Sequence, residues 1–246
     1  MAKSALPAVF ITERKTTMEI SRRLQAVADL VSYPIVADIG TDHGYVPLYL
    51  YENGKTEKAF ACDLNKQPLE KAKQNIKDKC AEHVIETRLG SGLLPIAPKE
   101  AQTAVIAGMG GMLVLRILQE GKQTVDSLQE LILSPQHDID KVRKYVHTIG
   151  FAIKQEIMVK EDGKYYHILQ CQKGAEQYQT ETAYQYGEKL LQAKDALLWE
   201  QLEIEQKQYE TVQKTLQQSG TEKATQRLIE IKQKLQWIEE AKAWYK

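Results

Sequence analysis

A chain of 246 residues with 43% hydrophobic side chains can bury a real core, as one large domain or one domain with an appendage. Lys plus Arg and Asp plus Glu both number 33, so no global charge draws it to nucleic acid or to a membrane surface, although a local basic patch stays open. Cys62, Cys80 and Cys171 are odd in number and far apart, which excludes a disulfide frame and fits reduced thiols in a cytoplasmic protein; Cys80 and His83 lack a second ligand pair, so no metal is expected, and no apolar run reaches the ~18 residues of a membrane helix.

Residues 1–17 read as a leader or flexible tail, because a clean helical pattern starts only at Met18: Ile20, Leu24, Val27 and Val31 recur at helical spacing, with Ser21 as a local cap. Strands and helices then alternate. "IVADIG" reads as a buried strand and "YVPLYLYENG" as a helix with Gly54 near its end. "KAFACD" is a second strand, and "NKQPLEKAKQNIKDK" a helix opened by Asn65 with Pro68 in its first turn. "VIETRLG" and "TAVIAG" are strands three and four. "GGMLVLRILQEG" is a helix closed by Gly121, "ELILSP" a fifth strand, and "HDIDKVRKYVHTIG" a helix ended by Gly150. Short apolar strands alternating with helices predict an α/β fold whose parallel sheet is covered on both faces. "FAIKQEIMV" and "KYYHILQCQ" follow with no helix between them, and Asp162-Gly163 is a hairpin signal, so the sheet ends in an antiparallel pair. This sets one domain at residues 18–173. From residue 174 to 246 the composition shifts to Gln, Glu, Lys and Ala. Leu191, Leu198, Leu202, Tyr209, Val212 and Leu216, then Ala224, Leu228, Ile231, Leu235 and Ile238, recur at threes, fours and sevens on either side of Gly220 and Thr221. An antiparallel helical coiled-coil is expected there, with Glu205 a polar break in its seam.

Ligands of an open parallel sheet sit beyond the carboxyl ends of the strands, where the strand order reverses. The loop after the first strand, Gly40-Thr-Asp-His-Gly44, lies there. Gly40 and Gly44 would let backbone approach a ligand, and the following helix start would offer N–H groups to an anion. Asp63 ends the second strand, where such folds place an acid for ribose hydroxyls. The loop is G-x-x-x-G and not the dinucleotide pattern G-x-G-x-x-G. Asp42 beside a pyrophosphate would be costly, whereas S-adenosylmethionine brings a sulfonium and an ammonium that suit Asp38, Asp42 and Asp63. A lone Asp at a strand–helix junction is more ordinarily a helix cap. Gly90, Ser91 and Gly92 follow the third strand, where an adenine edge could meet backbone. Gly108, Gly110 and Gly111 follow the fourth, where a flat substrate could lie against backbone or helix could pack on strand.

"VADIGTDHGYVPLYL", "ACD", "LGSGL", "IAGMGG" and "KEDGKYYHIL", in this order, resemble the bacterial tRNA (adenine-22) N1-methyltransferase family from Met18 onward, most strongly before Gln172. The resemblance implies a Rossmann-like class I methyltransferase sheet with a C-terminal coiled-coil, S-adenosylmethionine as cofactor and tRNA as partner. It implies that Asp38, Gly40, His43, Asp63, Ser91, Gly92 and Gly108 line the cofactor, with Gly44, Leu64, Gly90 and Met109 beside them, and that Asp42 is the acid at the reaction centre. Two departures stand out: Ser91 replaces the family's usual acid or amide, and "LSPQ", ending in Gln136, replaces its usual Q-P-N pattern. For the tRNA, Arg22, Arg23 and Arg116 are candidate phosphate contacts, and Gly110, Gly111 and Gln136 candidate neighbours of the base. The helical hairpin would either span tRNA beyond that base or make a homodimer; otherwise the protein is a monomer. His137 and His147 read as surface or packing residues of a helix, and of Tyr165 and Tyr166 at most one faces the core. The competing functions are another RNA or small-molecule methyltransferase and a non-catalytic nucleotide-binding adaptor built on the coiled-coil; an NAD-dependent oxidoreductase fails on the loop pattern.

Overall fold

The computed structural model describes residues 20–219 and 221–246; the expected tail (residues 1–17), Met18 and the expected stop signal Gly220 lie outside them. Helix α1 (Arg22–Asp29) leads into β1 (Ile35–Ile39), α2 (Tyr45–Glu52), β2 (Lys58–Asp63), α3 (Lys66–Asp78), β3 (Ile85–Leu89) and β4 (Thr103–Ala107). Then come α4 (Gly111–Glu120), α5 (Lys122–Ser127), β5 (Glu130–Ser134), α6 (Ile139–Thr148) and the hairpin β6 (Phe151–Glu161) and β7 (Lys164–Lys173). Helices α7 (Glu181–Tyr186), α8 (Glu188–Gln192), α9 (Ala196–Ser219) and α10 (Glu222–Ala243) complete the chain. The sheet runs β3-β2-β1-β4-β5-β7-β6, with β1 to β5 parallel and β7 antiparallel to both β5 and β6. The strand order therefore reverses between β1 and β4, which pair with Asp38 opposite Val105 and Ile39 opposite Ile106.

Both faces of the sheet are buried, which is why its strands read as unbroken apolar runs and not as alternating ones. Ala37, Ile39, Phe60, Ala104, Ile106, Leu131 and Leu133 face Val114, Ile117 and Leu118 of α4 and Val142 and Val146 of α6. The residues between them, Val36, Val105 and Ile132, face Val27 and Ala28 of α1 and Val46 and Leu50 of α2. Ser21 caps α1 as expected, accepting from Leu24 N at 3.3 Å. Asn65 holds the N-cap position of α3 but makes no side-chain cap bond; Asp63 Oδ1 accepts from Asn65 N at 2.7 Å instead.

The region after β7 differs most from the expectation. Two short helices, α7 and α8, precede the long pair, and Leu191 belongs to α8, not to the seam. The chain breaks at Lys194 (φ +51), and Asp195 restarts it by accepting from Leu197 N and Leu198 N, both at 2.9 Å. Helices α9 and α10 run antiparallel: Tyr245 Oη donates to Asp195 O at 2.8 Å, Lys242 Nζ reaches Gln206 at 2.5 Å, and Lys234 Nζ reaches the Tyr209 hydroxyl at 3.3 Å. Their base packs Leu198, Leu202, Ile238 and Ala241 against Leu190, Leu191 and Met158 of β6. Thr221 caps α10 as expected. Glu205, expected as a polar break, accepts from the Tyr186 hydroxyl at 3.2 Å.

A buried ion pair joins this region to the sheet. Arg143 of α6 and Glu156 of β6 are both fully buried, 2.5 Å apart, with His167 Nδ1 3.1 Å from the same carboxylate. Arg143 Nη1 also donates to the carbonyls of Tyr184 (2.6 Å) and Gln185 (2.9 Å). Burial alone would raise the Glu156 carboxyl, but the adjacent guanidinium and His167 outweigh it and hold it below the usual range. Gly187, with φ +86, lets the chain pass here, because a Cβ on it would overlap the Glu156 carboxylate.

Candidate functional site

Beyond the carboxyl ends of β1, β2 and β4 lies a cavity of about 300 Å³ that brings together Arg23, Asp38, Gly40, Asp42, Asp63, Gly108, Met109 and Gln136. A second cavity, of about 220 Å³, is lined by Leu64, Gly90, Ser91, Gly92 and Arg116 and shares Gly40, Asp63 and Met109 with the first. Met109 stands where the two meet. Gly40 (φ +76) makes room for it, since a Cβ there would overlap Met109 Cε.

Asp38 is the last-but-one residue of β1, and its carboxyl is buried against the sheet end. Burial pushes its pKa up to about 7, with the like charges of Asp63 and Asp42 adding to the rise and the Thr41 hydroxyl offsetting part of it. Asp63 is held by the Asn65 N–H described above. Asp42 differs from both: its side chain is 74% exposed at the mouth, and His43 Nε2 lies 3.2 Å from its carboxylate. It is not a helix cap. The N-cap of α2 is Gly44, in left-handed conformation and with no side-chain bond, so the capping explanation of this acid drops out. None of the three carboxylates is ion-paired to a Lys or Arg among the described residues.

Several expected site residues have other work. His43 (φ +58) lines neither cavity; its ring stacks on Tyr45 with centroids 5.3 Å apart, and its carbonyl accepts from Asn75 Nδ2 at 2.9 Å. Gly44 packs on α3, where a Cβ would sit 3.4 Å from Ala72 Cβ. Gly110 and Gly111 also line neither cavity: a Cβ on Gly110 would stand 2.7 Å from the His137 ring, and one on Gly111 2.5 Å from His137 O. The chain after β5 packs against these two glycines on the side a Cβ would take. His137 itself precedes α6 and is largely exposed. The N–H groups of Gly40 and Thr41 are both donated to Cys62 O at 2.8 Å, so they are not offered to an anion. Arg22 is exposed and outside the cavities. Arg116 sits at the rim of the smaller one, 3.7 Å from Glu120.

The structure adds Tyr45 and Leu24 to the larger cavity, and Asn65 and Leu113 to the smaller. Tyr45 directly follows the second loop glycine, and that position is the signal that would have found it. Arg23 is the larger surprise. It is expected as a tRNA phosphate contact, yet its guanidinium turns inward over the Tyr166 ring, 5.2 Å from the centroid. Among the described residues no group of three or more His, Cys, Asp or Glu is placed to hold a metal ion, and no helix is long and apolar enough to cross a membrane.

The chain matches the family described as "Methyltransferase domain" over residues 20–169. It is 35% identical over 158 residues to the tRNA (adenine(22)-N(1))-methyltransferase of Bacillus subtilis, a stretch covering 64% of this chain and 66% of that protein. In three dimensions it is similar to the crystal structure of the B. subtilis m1A22 tRNA methyltransferase TrmK (TM-score 0.83, 29% identity, 91% of this chain and 98% of that one). It is also similar to M. capricolum TrmK in complex with S-adenosyl-homocysteine (TM-score 0.81, 28% identity, 92% and 99%).

Proposed function

The chain belongs to the methyltransferase-domain family, in its tRNA (adenine-22) N1-methyltransferase branch, and from that premise we infer that it methylates N1 of adenine 22 in bacterial tRNA with S-adenosylmethionine as donor. The observation that carries this reading is the convergence of Asp38, Asp42 and Asp63, unpaired with any Lys or Arg among the described residues, on one cavity at the reversal of strand order. A pocket with that charge repels a diphosphate and attracts a cation. The two cavities joined at Gly40, Asp63 and Met109 suit an elongated ligand: an adenosine part beside Leu64 and Gly90 to Gly92, its ribose at Asp63, and a charged tail in the larger chamber.

When bound, S-adenosylmethionine supplies a methyl group activated by its sulfonium. The protein's part is then placement. Adenine N1 carries an in-plane lone pair, so no proton need leave before attack, but the ring becomes cationic as the bond forms. Asp42, exposed at the mouth of the donor chamber, can accept a hydrogen bond from the exocyclic amine and stabilise that charge. Its neighbour His43, braced by Tyr45, limits where the carboxylate can swing. N1 lies on the pairing edge, so the target base must be unpaired or extruded to reach this mouth. Residues 18–173 would carry this chemistry, and residues 174–246 would hold tRNA beyond the target base.

The test is to incubate the protein with methyl-labelled donor and unmodified bacterial tRNA, digest the product and map the label. Label in 1-methyladenosine at nucleotide 22 is expected. Label in another nucleoside, or none in tRNA, would refute the assignment.

A further inference from the structure

Resting on the donor reading above, a further assignment concerns Arg23. Its Nη1 is buried and has no hydrogen-bond partner, and it lies 3.5 Å from the place a Cβ on Gly108 would occupy, at the wall of the larger cavity. The guanidinium is held over Tyr166 of β7 and is ion-paired to no carboxylate among the described residues, although three share its chamber. A buried charged donor left without an acceptor is expensive, so this arrangement calls for an anion.

Two anions are within the chemistry of the reaction: an RNA phosphate, or the carboxylate of the donor's amino-acid end. The other charges in the chamber separate them. A phosphodiester drawn in beside Arg23 would arrive beside Asp42 and Asp63 and be repelled by both, and by Asp38 as well once it is ionised. An α-amino acid carries both signs at once, an ammonium for the carboxylates and a carboxylate for the guanidinium. Three backbone N–H groups at the chamber wall are already used. The N–H groups of Gly40 and Thr41 go to Cys62 O at 2.8 Å, and that of Gly108 goes to Ser134 O at 3.0 Å. We propose that Arg23, braced on the Tyr166 ring, binds the α-carboxylate of the methyl donor, so that the chamber recognises the zwitterionic end of its ligand and Arg23 is not a tRNA phosphate contact.

Calorimetric titration of S-adenosylhomocysteine, and of its analogue lacking the α-carboxyl group, into wild type, Arg23→Gln, Arg23→Lys and Tyr166→Leu tests this. Wild type is expected to prefer the carboxylate form by about ten- to a hundredfold, the range of hydrogen bonds to charged groups. Arg23→Gln should abolish that preference while binding the analogue as wild type does, which also shows that it is folded. Arg23→Lys should keep part of the preference, because it retains the charge without the fork. Tyr166→Leu should fall between wild type and Arg23→Gln. Equal loss for both ligands in Arg23→Gln would overturn the proposal. So would an intact preference accompanied by weaker tRNA binding, which would return Arg23 to the phosphates. Wild type binding both ligands equally would overturn this proposal alone. Wild type binding neither would overturn the donor reading along with it.

Discussion

Two clusters of charge sit at opposite ends of the logic of this fold. At the joint between sheet and helices, Arg143, Glu156 and His167 are buried and each has partners: the guanidinium alone meets a carboxylate, two backbone carbonyls and an imidazole. At the reversal of strand order, Asp38, Asp42, Asp63 and Arg23 share one chamber and leave their charges uncompensated by one another. A satisfied buried pair holds structure, and removing one member exposes the full desolvation cost of the other. An unsatisfied set is tolerable only where something else arrives to complete it. The paired cluster therefore belongs to folding and the unpaired one to binding, and substitutions should sort accordingly.

The largest effect is expected at the joint. Arg143→Met leaves the Glu156 carboxylate buried with only His167 beside it, which should cost about 3–5 kcal/mol of stability in denaturant titration. The joint also bears on the role of the helices, because truncation after Lys173 would strip the Tyr184 and Gln185 carbonyls from Arg143. The shortened protein should fold poorly, so lost tRNA binding in it would say nothing about where tRNA is held. Wild-type stability in Arg143→Met would break the contrast between the two clusters.

Next is the mouth. Asp42→Asn should leave folding near wild type, weaken donor binding only modestly because Asp38 and Asp63 remain, and lower kcat by about 10²–10³-fold, the range for removing one group aimed at developing charge. A change confined to KM for tRNA would make Asp42 a docking residue instead.

The donor chamber should respond to pH through Asp38. Asp38 has its folded pKa raised to about 7 from 3.8, so the folded apoprotein binds this proton more tightly than the unfolded chain. Its contribution to stability is therefore present at low pH and is lost as pH rises toward about 7, then levels off. A cationic ligand reverses the preference by favouring the carboxylate. Donor binding should release a proton below about pH 7, with affinity falling by up to about tenfold per pH unit there, and release none well above it. Calorimetry in buffers of different ionisation enthalpy measures that proton directly. Asp38→Asn should remove the proton release and the Asp38 share of the pH slope of apoprotein stability; a pH-independent affinity in wild type would place the ligand's positive charge elsewhere.

The sequence made the sheet legible because both its faces are buried: short apolar runs ending in glycine loops left few alternatives, and Asp162-Gly163 marked the hairpin. The acids of the site were legible for a related reason, since Asp38 is the last-but-one residue of its strand and Asp63 the last of its own, which puts both at the sheet's carboxyl edge. What failed were judgements needing a third dimension. Gly44, Gly110 and Gly111 face Ala72 and His137, and nothing local distinguishes a glycine that admits a ligand from one that admits a helix. Arg23 and Arg143 look alike on paper, as cations in amphipathic helices, yet one turns into the chamber and the other into the joint because of partners more than a dozen residues away, Tyr166 and Glu156. Helices α5, α7 and α8 have five or six residues each, too few for periodicity to register.

The smallest expected effect sharpens the binding side of the comparison. Ser91 lines the smaller cavity with Leu64 and Gly92, at the position where the resemblance implies an acid or amide. A serine hydroxyl is a weaker partner than a carboxylate for an exocyclic amine, by about the ~1 kcal/mol that separates neutral from charge-assisted hydrogen bonds. Ser91→Asp should thus tighten S-adenosylhomocysteine binding severalfold. It should not tighten the inosine analogue, which presents a carbonyl where adenine presents its amine and would be repelled by the new carboxylate. Gains for both ligands would mean that the substitution acts through general electrostatics. No gain for either would show that the adenine edge is met by backbone alone, with Ser91 closing the loop between Gly90 and Gly92 and reading nothing.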